Sequence, residues 1–280
     1  MNSLVFAAVL AAAGMHAGWN ALVKARLEPL VALTMITLAG GVVAVPALIA
    51  FGLPRSAALP NVGASTVLHL LYYFALAAAY RYGEMSQVYP IARGSGPLFA
   101  TGAVLLIGER VAAHTLVGIV LLAGGVILMS LQRVRARNRA DLAAIGFALA
   151  TGLIIAGYTV VDGFGARRSG NPGGYVATLC VLDALPLPLF MLWRRGAAAF
   201  RPMRGYLVQG IGGGALSVGA YGIALWAMTQ ASIPAVAALR ETSVLFSTVI
   251  ATFALKERFV PIRGAGAVVI FVGIVMIRLG

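Results

Sequence analysis

The chain has 280 residues, 61% of them hydrophobic and only 10% charged, with a formal charge of +13 at pH 7. Soluble domains carry roughly 25% charged residues, so this composition leaves no aqueous surface of normal extent. The basic excess falls mostly between apolar runs, where it sets membrane topology and argues against a nucleic-acid partner, and the single Cys180 excludes an intrachain disulfide and a cysteine metal cluster.

A spanning helix needs about 20 apolar residues, and ten such segments follow one another: 3–23, 30–51, 62–81, 86–107, 112–130, 141–162, 173–193, 205–229, 233–255 and 261–278. The first, from Leu4 to Val23, lacks a basic n-region and is too long for a signal-peptide core, so it reads as span 1. Pro29 and Pro54 punctuate span 2. Span 4 runs Tyr89-Pro90-Ile91-Ala92-Arg93-Gly94-Ser95-Gly96-Pro97. Two prolines and two glycines so close together predict an interrupted helix, with Pro90, Gly94, Gly96 and Pro97 acting as a hinge or gate. In span 7, Asp183 precedes Pro186 and Pro188, which predicts an end or kink there. Gly170-Asn171-Pro172-Gly173-Gly174 is a turn, and Ile233-Pro234 divides spans 8 and 9. Pro234 and Pro261 suit the first turns of spans 9 and 10.

The chain repeats itself. Gly108-Glu109-Arg110 is echoed 148 residues later by Lys256-Glu257-Arg258, and Gly118 and Gly125 by Gly266 and Gly273. Ala17-Gly18-Trp19 is echoed by Ala156-Gly157-Tyr158. The basic stretch 133–140 is the obvious linker, giving a first five-helix repeat over 1–132 and a second over 141–280. Duplicated halves with an odd number of spans must be inverted in the membrane. The expectation is an all-α integral membrane protein whose ten transmembrane helices form two inverted five-helix repeats around a central cavity. Fourteen Lys and Arg follow the odd-numbered spans against five after the even ones. By the positive-inside rule this predicts a cytoplasmic linker with both termini outside, in the inner (plasma) membrane of a bacterium.

Four charges lie well inside spans: Arg93, Asp183, Arg240 and Glu241. Such residues are costly in hydrocarbon and usually face the bundle interior or a wet cavity. Arg93 and Glu241 are equivalent under the 148-residue offset, and they either line the cavity or form a structural ion pair. Asp183 is a candidate for proton coupling through a raised pKa, against the plainer reading of a paired structural aspartate. Trp19, Asn20, Tyr72, Tyr89, Tyr158, Tyr221 and Trp226 complete the candidate substrate cavity with Arg93, Arg240 and Glu241, while Tyr80, Tyr82, Tyr175, Trp193 and Tyr206 read as interfacial aromatics. His16 and His69, single histidines on apolar helices, read as packing residues. Gly14/Gly18 and Gly210/Gly214 have the small-xxx-small spacing of close helix contacts. No nucleotide-binding loop, metal-ligand pattern or paired-carboxylate motif stands out, so neither cofactor nor metal nor enzymatic activity is expected.

The five-plus-five spans, Gly-Glu-Arg after span 4, Lys-Glu-Arg after span 9, Tyr89-Pro-Ile-Ala-Arg-Gly94 and Trp19-Asn20 closing span 1 resemble the EamA group of the drug/metabolite transporter superfamily over essentially the whole chain. That resemblance implies a secondary transporter working by alternating access, with spans 1, 3, 4, 6, 8 and 9 around the cavity and 5 and 10 peripheral. The aromatic candidates are similar to what exporters of aromatic and hydrophobic amino acids, or of similar small metabolites, would need. The expected partners are thus a small-molecule solute and the lipid bilayer. An exporter of cationic drugs is the nearest alternative, and an intramembrane enzyme acting on lipids is the alternative of another class.

Overall fold

The computed structural model describes residues 1–23, 27–83, 85–129, 139–253 and 261–279. Lys24, Arg26, linker residues 133–138 and the Lys256-Glu257-Arg258 echo lie outside the described residues, and Arg139 and Ala140 already belong to a helix. Among the described residues there is no strand. Twelve helices follow in order: α1 (Ser3–Val23), α2 (Pro29–Phe51), α3 (Leu59–Tyr82), α4 (Met85–Leu106), α5 (Ala113–Leu128), α6 (Arg139–Arg168), α7 (Pro172–Asp183), α8 (Pro186–Arg195), α9 (Leu207–Gln230), α10 (Ile233–Arg240), α11 (Ser243–Phe253) and α12 (Pro261–Leu279). Short 3₁₀ segments precede α3 and α9.

Proline sets many of these boundaries. Pro29, Pro172, Pro186, Pro234 and Pro261 all sit in first turns, where their missing amide costs no helical hydrogen bond. Asn171 caps α7 by accepting from the Gly174 amide at 3.0 Å. Eight stretches are long and apolar enough to cross a membrane. Outside that set, α4 is diluted by polar residues, and the 16 residues of α5 cover only ~24 Å at 1.5 Å per residue. Large apolar side chains stand on the outer surface, such as Ile49 at 80%, Leu106 at 91% and Val208 at 82% exposure, as lipid-facing positions require.

Two differences from the sequence reading matter. α4 is one continuous helix through Pro90 and Pro97. The expected interruption is absent because residues 91–97 are wrapped by α5, α6 and α10, leaving the chain no space to unwind into. The expected span 9 is instead the broken one, in two pieces either side of Glu241-Thr242. There the Thr242 hydroxyl donates to the Leu239 carbonyl at 2.7 Å, and the backbone switches to tighter bonds from Thr242 N to Leu239 O and Val244 N to Glu241 O. A side chain competing for helix carbonyls, without glycine or proline, makes this break.

Helices pack in matched pairs: α3 on α6 and α1 on α9, α4 on α6 and α1 on α11, with α2 on α7, α4 on α10 and α5 on α12. The α5–α12 seam is the tightest. A Cβ added at Gly118 would lie 2.8 Å from the Gly273 carbonyl oxygen, and one at Gly125 would lie 2.8 Å from that of Gly266. Gly273 and Gly266 return the same contacts at 2.7 and 2.9 Å.

The two ends of the bundle differ. Both termini share one end, where Arg278 donates to the Met1 carbonyl at 2.8 Å and the Ser3 hydroxyl at 2.7 Å. At that end Arg167 joins three segments: its guanidinium meets Glu109 at 2.6 Å, the Met228 carbonyl at 2.8 Å and the Ala231 carbonyl at 3.0 Å. Asn171 donates to the Phe51 carbonyl at 2.6 Å nearby. The opposite end carries the exposed Arg195–Glu28 pair, and hydrogen bonds from Arg195 hold the Glu28 carboxyl below the usual carboxylate range. Beside it opens a cleft of about 500 Å³ between α2, α3 and α8, lined by Phe74, Arg81, Phe190, Arg194 and Arg195.

Candidate functional site

The centre of the bundle is built around one buried ion pair. Arg93 on α4 donates through Nε to Glu241 Oε2 at 2.9 Å, with both side chains about 5% exposed. Glu241 reaches it because the α10–α11 break turns the chain at that residue, and Tyr89, one turn earlier on α4, lies 5.9 Å beneath the Arg93 guanidinium. Arg93 Nη2 is buried with no hydrogen-bond partner among the described residues. Pro97, on the next turn, has no amide to offer the Arg93 carbonyl.

Arg93, Gly96, Pro97, Tyr158, Arg240 and Glu241 line a common cavity with Ile155, Thr159 and Ala237. Its volume is about 10 Å³, room for about one water, so the centre is closed. Arg240 has no carboxylate partner among the described residues; its guanidinium stands 5.2 Å over the Tyr221 ring. Tyr72 meets Tyr158 edge-on at 6.0 Å.

Other expected residues lie off this lining. Trp19 and Asn20 turn back along α1, Trp19 Nε1 donating to His16 Nδ1 at 3.3 Å and Asn20 Nδ2 to the His16 carbonyl at 2.8 Å. Trp226 packs against the main apolar core. Gly94 and Gly96 are packing positions: added Cβ atoms would lie 2.8 Å from Ile127 and 2.9 Å from Ile155. Pro90 is half-buried in the unbroken α4.

A second polar cluster, which the sequence reading missed, surrounds Asp162 on α6, fully buried. Three hydroxyls converge on it: Ser65 of α3 at 2.8 Å, Tyr175 of α7 at 2.8 Å, and Tyr221 of α9. Tyr175 is therefore a buried ligand of this carboxylate and not an interfacial aromatic, as its 0% exposure shows. Ser65 also faces His69 Nδ1 at 3.4 Å, and His69 Nδ1 pairs with Asp183 Oδ2 at 2.7 Å. His69 is thus a hydrogen-bond partner of Asp183 and not merely a packing residue, because the break after Asp183 brings that carboxylate against it. The signal was available: Asp162 stands four residues after Tyr158, and the apolar run puts it at the end of span 6, whereas α6 continues to Arg168.

Comparison with known proteins agrees with this architecture. A model of the EamA-like transporter family matches residues 142–279. A crystal structure of a protein 16% identical in sequence superposes with a TM-score of 0.78, covering 100% of this chain and 99% of the other, and so shares the fold. No curated protein sequence matches the chain.

Proposed function

The chain belongs, through residues 142–279, to the EamA-like transporter family of small-molecule membrane carriers, and from that premise we propose that it is an alternating-access carrier of amino acids with apolar or aromatic side chains. In this reading α7 with α8, and α10 with α11, each form one span, so the helices make ten. The halves are 1–132 and 141–280, inverted about a two-fold axis in the membrane plane. Two observations support that symmetry. Gly118 and Gly125 are the equivalents of Gly266 and Gly273, yet each contacts the other's equivalent, the reciprocity of a two-fold contact. Arg93 and Glu241 are equivalents that touch each other, as residues on the axis must. The family match begins at residue 142, at the start of the second half.

The observation that carries the substrate class is Arg240. Arg93 is neutralised by Glu241, but Arg240 faces the cavity with no carboxylate of the described residues against it. A solute carboxylate would complete it, with the free Arg93 Nη2 as a second donor. The Arg93 carbonyl, to which Pro97 has no amide to offer, and the Glu241 carboxylate offer acceptors to an ammonium group. Tyr158, Ile155 and Ala237 supply apolar walls, with Tyr89 and Tyr221 against the two guanidiniums and Tyr72 against Tyr158. The closed centre matches an occluded step in which neither face reaches the solute. With the linker end cytoplasmic, as the basic residues indicate, the 500 Å³ cleft opens inward and the fastened terminal end faces outside, in the inner membrane of a bacterium. The hinge role moves from Pro90 and Pro97 to the Glu241-Thr242 break, with Pro97 retained for the carbonyl it frees.

The test is exchange of radiolabelled phenylalanine in liposomes containing the purified protein. We expect saturable exchange competed by Trp and Met. Arg240→Ala should raise KM by about tenfold or more, since hydrogen bonds to charged groups contribute about 1.5–3 kcal/mol. Exchange absent from folded protein, or unchanged in Arg240→Ala, would overturn the assignment.

A further inference from the structure

We infer that the His69–Asp183 pair is a dedicated proton-binding site, separate from the solute cavity and coupled to it through Asp162 and Tyr221; the coupling rests on the carrier reading above, the proton site does not. The first argument is charge. Among the described residues in the middle of the spans, Arg93 and Arg240 stand against Asp162, Asp183 and Glu241. Two cations against three anions leave one negative charge uncompensated in a low-dielectric interior, a costly arrangement that one added proton removes.

The second argument places the proton. Glu241 is held by Arg93 at 2.9 Å. Asp162 accepts from three hydroxyls, a donor set that suits a permanent carboxylate. Among the described residues Asp183 has only His69, at 2.7 Å, and its other oxygen, Oδ1, is buried without a partner there. The contact between Nδ1 and Oδ2 already requires one proton between them. A second, taken from water, makes the pair neutral, as imidazolium with carboxylate or imidazole with carboxylic acid.

The groups around the pair lie on five helices. Ser65 and Tyr73 lie on α3, Tyr158 and Asp162 on α6, Cys180 on α7, Tyr221 on α9 and Arg240 on α10; α2 carries no titratable residue. A chain of contacts runs from the solute cavity to the proton: Arg240 on the Tyr221 ring, the Tyr221 hydroxyl on Asp162, Asp162 on Ser65, Ser65 beside His69, and His69 on Asp183. A solute carboxylate on Arg240 therefore changes the field at the proton site through groups in direct contact. Phe190, which lines the open cleft, is seven residues from Asp183 across the α7–α8 break.

The test uses the full chain in liposomes with the membrane potential clamped to zero by potassium and valinomycin. A pH gradient is imposed in each direction with labelled phenylalanine present on both sides. One-to-one coupling predicts about tenfold solute accumulation per pH unit in one of the two directions. Asp183→Asn and His69→Gln should bring that ratio to about onefold in preparations that still exchange label. Wild-type protein that exchanges label yet ignores the gradient would overturn the inference and leave the carrier reading standing. If wild-type protein exchanges nothing, the carrier reading fails, and an infrared pH titration followed in both the carboxylic-acid carbonyl band and the imidazole ring bands decides the proton site without any solute. A titrating band lost in Asp183→Asn supports the site; a spectrum identical in both proteins refutes it.

Discussion

Exchanging the charges of Arg93 and Glu241 tests the centre of the bundle most severely. With both side chains about 5% exposed and 2.9 Å apart, Arg93→Glu places two carboxylates together and Glu241→Arg two guanidiniums. Each leaves a buried charge uncompensated, a loss of about 3–5 kcal/mol. At about 2–4 °C per kcal/mol for a chain of this size, each single variant should melt roughly 6–20 °C below the parent. In the proposed two-fold arrangement, where the two residues are equivalents on the axis, the double exchange reproduces the same pair with the halves' roles reversed. It should recover to within about 2 kcal/mol of the parent, a strong departure from additivity. The assay is thermal unfolding of detergent-purified protein, followed by intrinsic fluorescence and by retention on size exclusion. A double variant as unstable as the sum of the singles would refute the axial placement, and singles that melt with the parent would refute the buried pair itself.

The glycine seam gives a position-specific contrast: Gly125→Leu drives a side chain into the Gly266 carbonyl and should cost about 1–3 kcal/mol or more. Its neighbour Gly124 faces open space, so Gly124→Leu should leave the melting temperature unchanged, and equal effects at the two positions would refute the packing. Asp162→Ala leaves the hydroxyls of Ser65, Tyr175 and Tyr221 without their shared acceptor, at about 1–3 kcal/mol for each group left unsatisfied. It should lower the melting temperature more than Asp162→Asn, which keeps an acceptor oxygen. For the exposed Glu28–Arg195 pair, the lowered Glu28 pKa means that its stabilisation is present above the unfolded carboxyl value and is lost as pH falls through the lower folded value. Solvent screening limits it to less than about 1 kcal/mol, so Glu28→Gln should flatten that acid limb only slightly, and only at low salt.

The helical character of the chain and most of its helix ends were legible because they depend on local signals. Apolar runs fix the helices, and prolines mark where α2, α7, α8, α10 and α12 begin. The central charges were legible for a different reason: ionisable residues in apolar runs have few places to go, so Arg93, Arg240 and Glu241 announced themselves. What failed was inference from residue type to backbone shape. Prolines in α4 pointed to a broken helix, but burial on several sides holds it continuous, while the real break at Thr242 arises from a hydroxyl competing for one carbonyl. Nothing in a single segment reveals that competition. Asp162 is hidden by a helix that outruns its apolar stretch and carries the residue inward from the expected boundary. His69 is hidden by distance: its partner lies 114 residues away, on a helix whose end alone brings the carboxylate within reach.

The Arg167 latch has a consequence for timing. One guanidinium holds Glu109, the Met228 carbonyl and the Ala231 carbonyl, so three chain segments cannot come away in succession. They separate in a single concerted event whose frequency is that of one side chain letting go. The rigid fork of arginine makes this possible, and a lysine, with its compact single ammonium, would divide the event into independent steps. At 30% side-chain exposure the latch is also open to competition from dissolved ions. The composition of the solution bathing that end thereby sets how firmly α6, the Glu109 segment and the end of α9 are held together.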